Sequence, residues 1–361
     1  MNNKPRIIAF YLPQFHPVPE NDEWWGKGFT EWTNVGKAKP LFPGHYQPRV
    51  PADLGYYDLR IPEVREEQAR LAKEAGIEGF CYWHYWFGNG KQLLEKPLQE
   101  VVKTGKPDFP FCLGWANESW KKKLWNKDET DDQILIEQVY GGIKDYEEHF
   151  YSVLSVFKDK RYITVDGKLL FLIYKPLNFA DCSRFISCWR DLAEKEGLKG
   201  FHFVAHAISG ETSFQKYFEM GFDAIYTNRV ANAALGYQKN PFTTLKNIIL
   251  RVLRLPRLVS YISVIEQSYD EKDRDELLYP GIICGWDHTP RSGRKGYLFT
   301  NFSANKFAEH ARRQLSLVDK KNHEHQIVFL KSWNEWGEGN YMEPDLRFGN
   351  TLIDALQQAT V

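Results

Sequence analysis

Glu335 and Glu338 lie three residues apart in the segment KSWNEWGEGNYMEP (331–344), among the rings of Trp333, Trp336 and Tyr341. A carboxylate beside aromatic surface is costly unless something pairs with it or uses it. Alternation along a strand would send residues three apart to opposite faces. Gly337 and Gly339, however, mark a chain that leaves the strand and turns. At such a turn both carboxylates can face one mouth. Two carboxylates in a partly desolvated pocket acquire different proton affinities. One protonated and one ionised group is the minimum equipment for chemistry at a glycosidic bond through an oxocarbenium-like state. The same residues also admit a structural reading, in which they satisfy Trp or backbone N–H groups.

Other polar and aromatic candidates gather at the ends of apolar runs, where a substrate pocket is expected. They are His16; Trp83, His84 and Trp86; Trp115, Asn117 and Glu118; Tyr174; His206; Asp287, His288 and Arg291; and Trp333, Asn334 and Trp336. Glu118, in WANES, reads equally as an acid, a cap or a ligand for a sugar hydroxyl. Asp53, in PADLGYYDLR, is either a substrate ligand or a turn-capping residue. His16, His84, His206 and His288 come from separate runs with no HxH or HExxH, so they are expected to hydrogen-bond substrate and not to hold a metal. No cofactor is expected.

These positions need a scaffold that brings many strand ends together. Continuous apolar runs at 6–12, 77–86, 109–115, 169–175, 201–207, 223–228, 281–287 and 326–333 read as strands buried on both faces. Helical patterns fall between them, at 61–76, 91–104, 145–157, 181–196, 213–220, 303–321 and 349–359. The clearest is IPEVREEQARLAKEAG, with Pro near its start and Gly at its end. The alternation predicts one α/β domain over 1–361, a single (β/α)8 TIM barrel with its site at the carboxyl ends of the strands. A doubly wound sheet fits less well, because no GxGxxG follows the first strand. Long loops are expected after strands one and six, at 17–60 and 229–277, and long loops in compact domains tend to serve as lids or binding surfaces.

Composition narrows the partners. Lys plus Arg and Asp plus Glu both total 47, and this zero balance argues against nucleic acid. The 24 Phe, 19 Tyr and 12 Trp suit sugar stacking as well as core. Five cysteines without a CxxC give neither a disulfide framework nor a zinc pattern. With Met1 taken as the start, the first apolar run is too short for a signal peptide, and the protein is expected in the cytoplasm. No acidic residue falls between Ala224 and Ile265, whereas Arg229, Lys239, Lys246, Arg251, Arg254 and Arg257 do. Such a basic, apolar insertion either packs as an ordinary outer helix or touches the inner membrane through 239–257.

PADLGYYDLR, GIEGFCYWHYWF, GWANESW and WNEWGEGNYMEPD together resemble the WbsX-like proteins of bacterial O-antigen and capsule gene clusters. These carry a domain similar to glycoside hydrolase family 99, likeness to which rests on the NExxEG arrangement and on Asp287–x–Thr289–x–Arg291. The resemblance implies retaining glycosyl transfer in surface polysaccharide biosynthesis, without a metal. It implies Glu335 as the base toward a neighbouring 2-hydroxyl and Glu338 as general acid/base. The substrate would be an oligosaccharide or lipid-linked glycan, with a nucleotide sugar as a further donor. A retaining, α-mannosidase-like endo-hydrolase and a barrel that binds glycan without catalysis are the alternatives.

Overall fold

The protein is described here by a computed structural model covering residues 4–122, 133–207, 213–237 and 241–360. Residues 1–80 with 227–361 form one compact unit, and residues 81–226 form a second.

The first unit opens with β1 (Arg6–Tyr11), buried at every position, as a strand covered on both faces must be. The segment expected as a long loop holds α1 (Pro19–Trp25) and α2 (Glu31–Gly36). Thr30 and Thr33 cap the start of α2 reciprocally, each side chain accepting from the other's backbone N–H. Next comes α3 (Pro62–Glu74), started by Pro62 and ended at Gly76, whose φ of 82° only glycine adopts cheaply.

The chain then enters the second unit through β2 (Gly79–Trp86), and β and α elements alternate as expected. They are α4 (Lys96–Thr104), β3 (Phe111–Trp115), α5 (Ile143–Ser152), β4 (Lys168–Ile173) and α6 (Cys182–Lys195). After them come β5 (Phe201–His206), α7 (Gln215–Glu219) and β6 (Ala224–Tyr226). Neighbours in the sheet follow chain order from β2 to β6. The pairs β3–β4, β4–β5 and β5–β6 are parallel. Trp189 of α6 anchors an aromatic core with Phe150, Phe157, Phe171 and Phe201.

Back in the first unit, the second expected loop is in fact folded. It contains α8 (Arg229–Tyr237), α9 (Pro241–Val252), β7 (Arg257–Ser260) and α10 (Tyr261–Gln267). Val230, Ala233 and Ala234 bury one stripe of α8 against Val259, Tyr261 and Val264, which is why the segment does not stay a loop. Lys239 lies outside the described residues. The chain ends with β8 (Gly281–Ile282), β9 (Tyr297–Thr300), α11 (Ala304–Leu315), β10 (Ile327–Leu330) and α12 (Thr351–Ala359). Parallel β10 sits between β1 and β8, with Ala9 and Ile282 both opposite Leu330. The strand expected over 281–287 stops early. At Gly285 φ reaches 133°, and a Cβ there would lie 3.3 Å from the Gly339 carbonyl.

Candidate active site

Beyond β10 the chain makes a two-residue antiparallel pair, Asn334 with Tyr341 and Glu335 with Asn340. A single 3-10 turn, Trp336–Glu338, and Gly339 at φ 58° close it. That turn cancels strand alternation, so Glu335 and Glu338 reach the same partner. Asn334 is fully buried and clamps the turn to the end of β1: its Oδ1 accepts from Leu12 N–H at 2.8 Å and its Nδ2 donates to the Leu12 carbonyl at 3.0 Å. Beneath lies Glu343, whose Oε2 accepts from Trp336 Nε1 at 2.6 Å and Tyr57 Oη at 2.9 Å. Its Oε1 accepts from Gln68 of α3 at 2.6 Å. Burial pushes the Glu343 carboxyl up to about 7 against the pull of these donors. Trp336 also stacks on Tyr341 at 3.8 Å.

The shared partner is Arg291, in the helical turn Thr289–Ser292. Its guanidinium donates to Glu31 through Nε at 2.9 Å and Nη2 at 2.9 Å, a bidentate pair. It also reaches Glu338 Oε1 through Nη1 at 2.7 Å and Glu335 Oε1 through Nη2 at 3.1 Å. Glu31 is nearly sealed, with 3% of its side chain exposed, whereas Glu335 and Glu338 keep 16% and 17% open to solvent. Of the three, only the latter two keep appreciable solvent-facing surface. His288 Nε2 stands 3.7 Å from Glu338, and its Nδ1 is within 2.6 Å of Ser292 Oγ.

Three carboxylates thus share one guanidinium, and burial and hydrogen bonding set Glu31 and Glu335 apart. Burial would raise Glu31, but the Arg291 charge and hydrogen bonds outweigh it and hold Glu31 below the usual range. Glu335 goes the other way. Burial, then the Glu338 charge, push it up to about 7, and its one longer bond to Arg291 does not compensate.

Next to this cluster Asp287 is consumed internally. Its Oδ2 faces His45 Nε2 at 2.9 Å and accepts from Gln47 Nε2 at 2.8 Å, while Oδ1 accepts from Thr289 N–H at 3.0 Å and Oγ1 at 2.7 Å. The Leu41 N–H donates to His45 Nδ1, so Nε2 carries the ring hydrogen that bonds Asp287. Burial would raise Asp287, yet the His45 bond and the Arg49 charge bring it down to about 2. A cavity of about 240 Å³ adjoins it, lined by Asp287 itself with His45, Arg49, Trp286 and Phe302 among others.

The expected substrate ligands divide by burial. Trp333, Asn334, Trp336 and Asp287 are at most 1% exposed and support the turn from behind. In the second unit Trp83, Tyr174 and His206 do come together, edge to face at 5.5 and 4.9 Å. His84, Trp86 and Trp115 do not join them. Alternation along β2 turns His84 and Trp86 toward α5, where both stack on His149, and Trp115 packs edge-on against the same ring. Asn117 is spent on Lys175 backbone and Tyr140, and Glu118 pairs with Lys175 at 2.5 Å in an exposed position. His16 is buried with Nδ1 against the Pro13 carbonyl, and Asp53 is exposed in a turn. Among the described residues no three His, Cys, Asp or Glu side chains form a metal cradle.

Sequence reasoning passed over Glu31, His45, Gln47, Arg49 and Glu343. The first four sit in the segment 17–60, whose length and aromatic content signal function without singling out a residue. Glu343 stands inside the very segment that drew attention, in MEP, where nothing separates a buried carboxyl from an exposed one.

Residues 7–356 match the family described as Glycosyltransferase WbsX. Two curated proteins from strains of Xanthomonas campestris pv. campestris, each named Uncharacterized protein WxcX, are 37% identical over 359 residues. The match covers 98% of this chain and 49% of theirs, so the chain spans about half the length of these relatives. Among solved structures, a glycoside hydrolase-like protein aligns with a TM-score of 0.64 at 14% identity, over 99% of this chain and 94% of that one. The GH99 endo-alpha-mannosidase from Bacteroides thetaiotaomicron aligns with a TM-score of 0.55 at 15% identity, over 98% of each. At such identities the likeness shows the fold, of the α/β barrel class expected from the strand pattern.

Proposed function

The chain belongs to the WbsX glycosyltransferase family, and we propose that it transfers a glycosyl group with retention, using Glu335 and Glu338, in the building of a bacterial surface polysaccharide such as O-antigen or capsule. Glu335 takes the proton of the sugar's 2-hydroxyl. The freed oxygen closes on the anomeric carbon while the bond to the leaving oxygen breaks and Glu338 protonates that oxygen. An acceptor hydroxyl, giving its proton to Glu338, then opens the 1,2-anhydro ring, and Glu335 returns its proton to the 2-oxygen. Two displacements leave the anomeric configuration unchanged.

The observation that carries this reading is that two partly exposed carboxylates meet on one arginine, with burial and the neighbouring charge pushing Glu335 up to about 7. A base is most useful when its pKa lies near the working pH. Arg291 holds both carboxylates in one place. The acceptor would be an oligosaccharide or a lipid-linked glycan, the donor a nucleotide sugar or another activated glycoside, and the setting the cytoplasmic face of the membrane. Hydrolysis, with water replacing the acceptor, is the second reading, favoured by the fold shared with an endo-alpha-mannosidase.

Nucleotide sugars offered with and without acceptor glycan, and α-linked oligosaccharides offered alone, separate the two. Nucleotide release that needs acceptor supports transfer, and new reducing ends support hydrolysis. In either case Glu338→Gln should lower turnover by about 10²–10⁴ while glycan binding stays within a few fold. Unchanged turnover in that variant removes Glu338 from the chemistry.

A further inference from the structure

Helix α9 is built with its apolar side facing the wrong way. Its docked face, toward β7, presents Thr243 and Leu250, both 8% exposed, and Lys246 Nζ reaches the Leu258 carbonyl at 3.3 Å. The opposite face carries Leu245, Ile248, Ile249 and Val252, exposed at 59, 54, 51 and 76%. Leu253, at 61%, continues it. At about 100° per residue these side chains fall on a single arc centred opposite Thr243 and Leu250. Lys246 bounds the arc on one side and Arg251 on the other, and Arg254 follows at the helix end. A helix on the surface of a globular protein ordinarily shows the reverse, apolar inward and charged outward.

A contiguous apolar patch of this kind marks a contact surface. The charges around it select the occupant. Cations on both flanks, with no Asp or Glu between Ala224 and Ile265, complement a surface of phosphates. Among the described residues no helix is long and apolar enough to cross a membrane. An apolar arc edged by Lys and Arg is the composition of a helix that lies in the headgroup plane. We propose that α9 docks the protein on an anionic phospholipid surface, with Leu245, Ile248, Ile249 and Val252 inserted at the headgroup–acyl boundary and Lys246, Arg251 and Arg254 on the phosphates. The side chains that would insert touch little else, so the contact leaves the fold unchanged. This docking does not depend on the glycosyl-transfer reading and stands or falls separately.

The test is co-sedimentation of the purified chain with vesicles of phosphatidylcholine alone and of phosphatidylcholine with phosphatidylglycerol in about equal parts. Binding to the mixed vesicles is expected, weakened by salt, with each cation contributing about fivefold. A variant combining Leu245→Ser, Ile248→Ser and Val252→Ser should bind about tenfold more weakly or worse, at an unchanged melting temperature. Lys246→Glu with Arg251→Glu should lose the preference for the anionic vesicles. Equal partitioning of parent and serine variant, or no vesicle binding by the parent, overturns the proposal. So does a parent that is dimeric by light scattering and becomes monomeric in the serine variant without ever binding vesicles, because the face would then join two copies of the chain.

Discussion

Arg291 faces three carboxylates with one positive charge, and this imbalance sets how each behaves. The two-bonded Glu31 is held below the usual carboxylate range, while burial and the Glu338 charge raise Glu335. If Glu335 is the base, it must be ionised to work, so kcat/KM should fall tenfold per pH unit below about 7. Arg291 lowers the affinity of Glu335 for its proton, and Arg291→Met should therefore move that acid limb upward. A limb left near the ordinary 4.5 in the parent would show that another group governs the profile. The same variant leaves Glu31 buried without its cation, which should cost about 3–5 kcal/mol at pH 8. The loss should shrink at pH 5, where protons replace the missing charge, and melting curves at the two pH values check it.

At the scale of elements, the turn after β10 determines whether the two glutamates meet. Gly337 is required by packing. A Cβ there would collide with Glu31 Oε1 and lie 2.9 Å from Arg291 Nε. Gly337→Ala should push α2 and its carboxylate off the guanidinium, destabilise the fold by about 1–3 kcal/mol and lower turnover together with it. An alanine variant with parent-like stability and activity would mean that Glu31 can yield freely. The sequence pattern reads this level well, since Gly337 and Gly339 mark the turn in advance. It reads faces less well. The run IEGFCYWHYW marks a strand, but nothing in it tells which side of β2 carries Trp83 and which side sends His84 and Trp86 under α5. Helix α9 is the opposite case, because its apolar residues are obvious in sequence but their outward orientation is not.

For the whole molecule, buried ionisable groups set the response to pH, and two classes oppose each other. Burial holds His84 and His310 at about 3 and His149 well below 6.5, so unfolding below 6.5 takes up protons and the stability these rings give is lost as pH falls. Glu335 and Glu343, raised to about 7 from 4.5, act in the other direction: their contribution is full below 4.5 and lost as pH rises through 7. Between 4.5 and 6.5, three histidines against two carboxyls leave about one proton, or about 1.4 kcal/mol per pH unit. Below 4.5 the carboxyl contribution no longer grows, while the histidines and Asp287, held at about 2, continue to lose. The melting temperature should thus decline gently from pH 6.5 to 4.5 and fall several times more steeply below. A steep fall already at pH 6 would mean that the histidines are not offset.

By itself the sequence determined the alternation of the sheet strands with most of their connecting helices, the class of the fold, the family, and the closeness of Glu335 to Glu338, but not the helices folded inside the two segments expected as loops. All of these are local or periodic: buried strands read as apolar runs, turns as glycines, and residues three apart stay neighbours wherever the chain goes. Only the tertiary structure decided that Glu335 is raised and Glu31 lowered in proton affinity. That depends on Arg291 and Glu31, distant from the pair along the chain, and on how far each oxygen is removed from water. Proton affinity is a property of surroundings assembled in three dimensions, and no spacing of residue types encodes it.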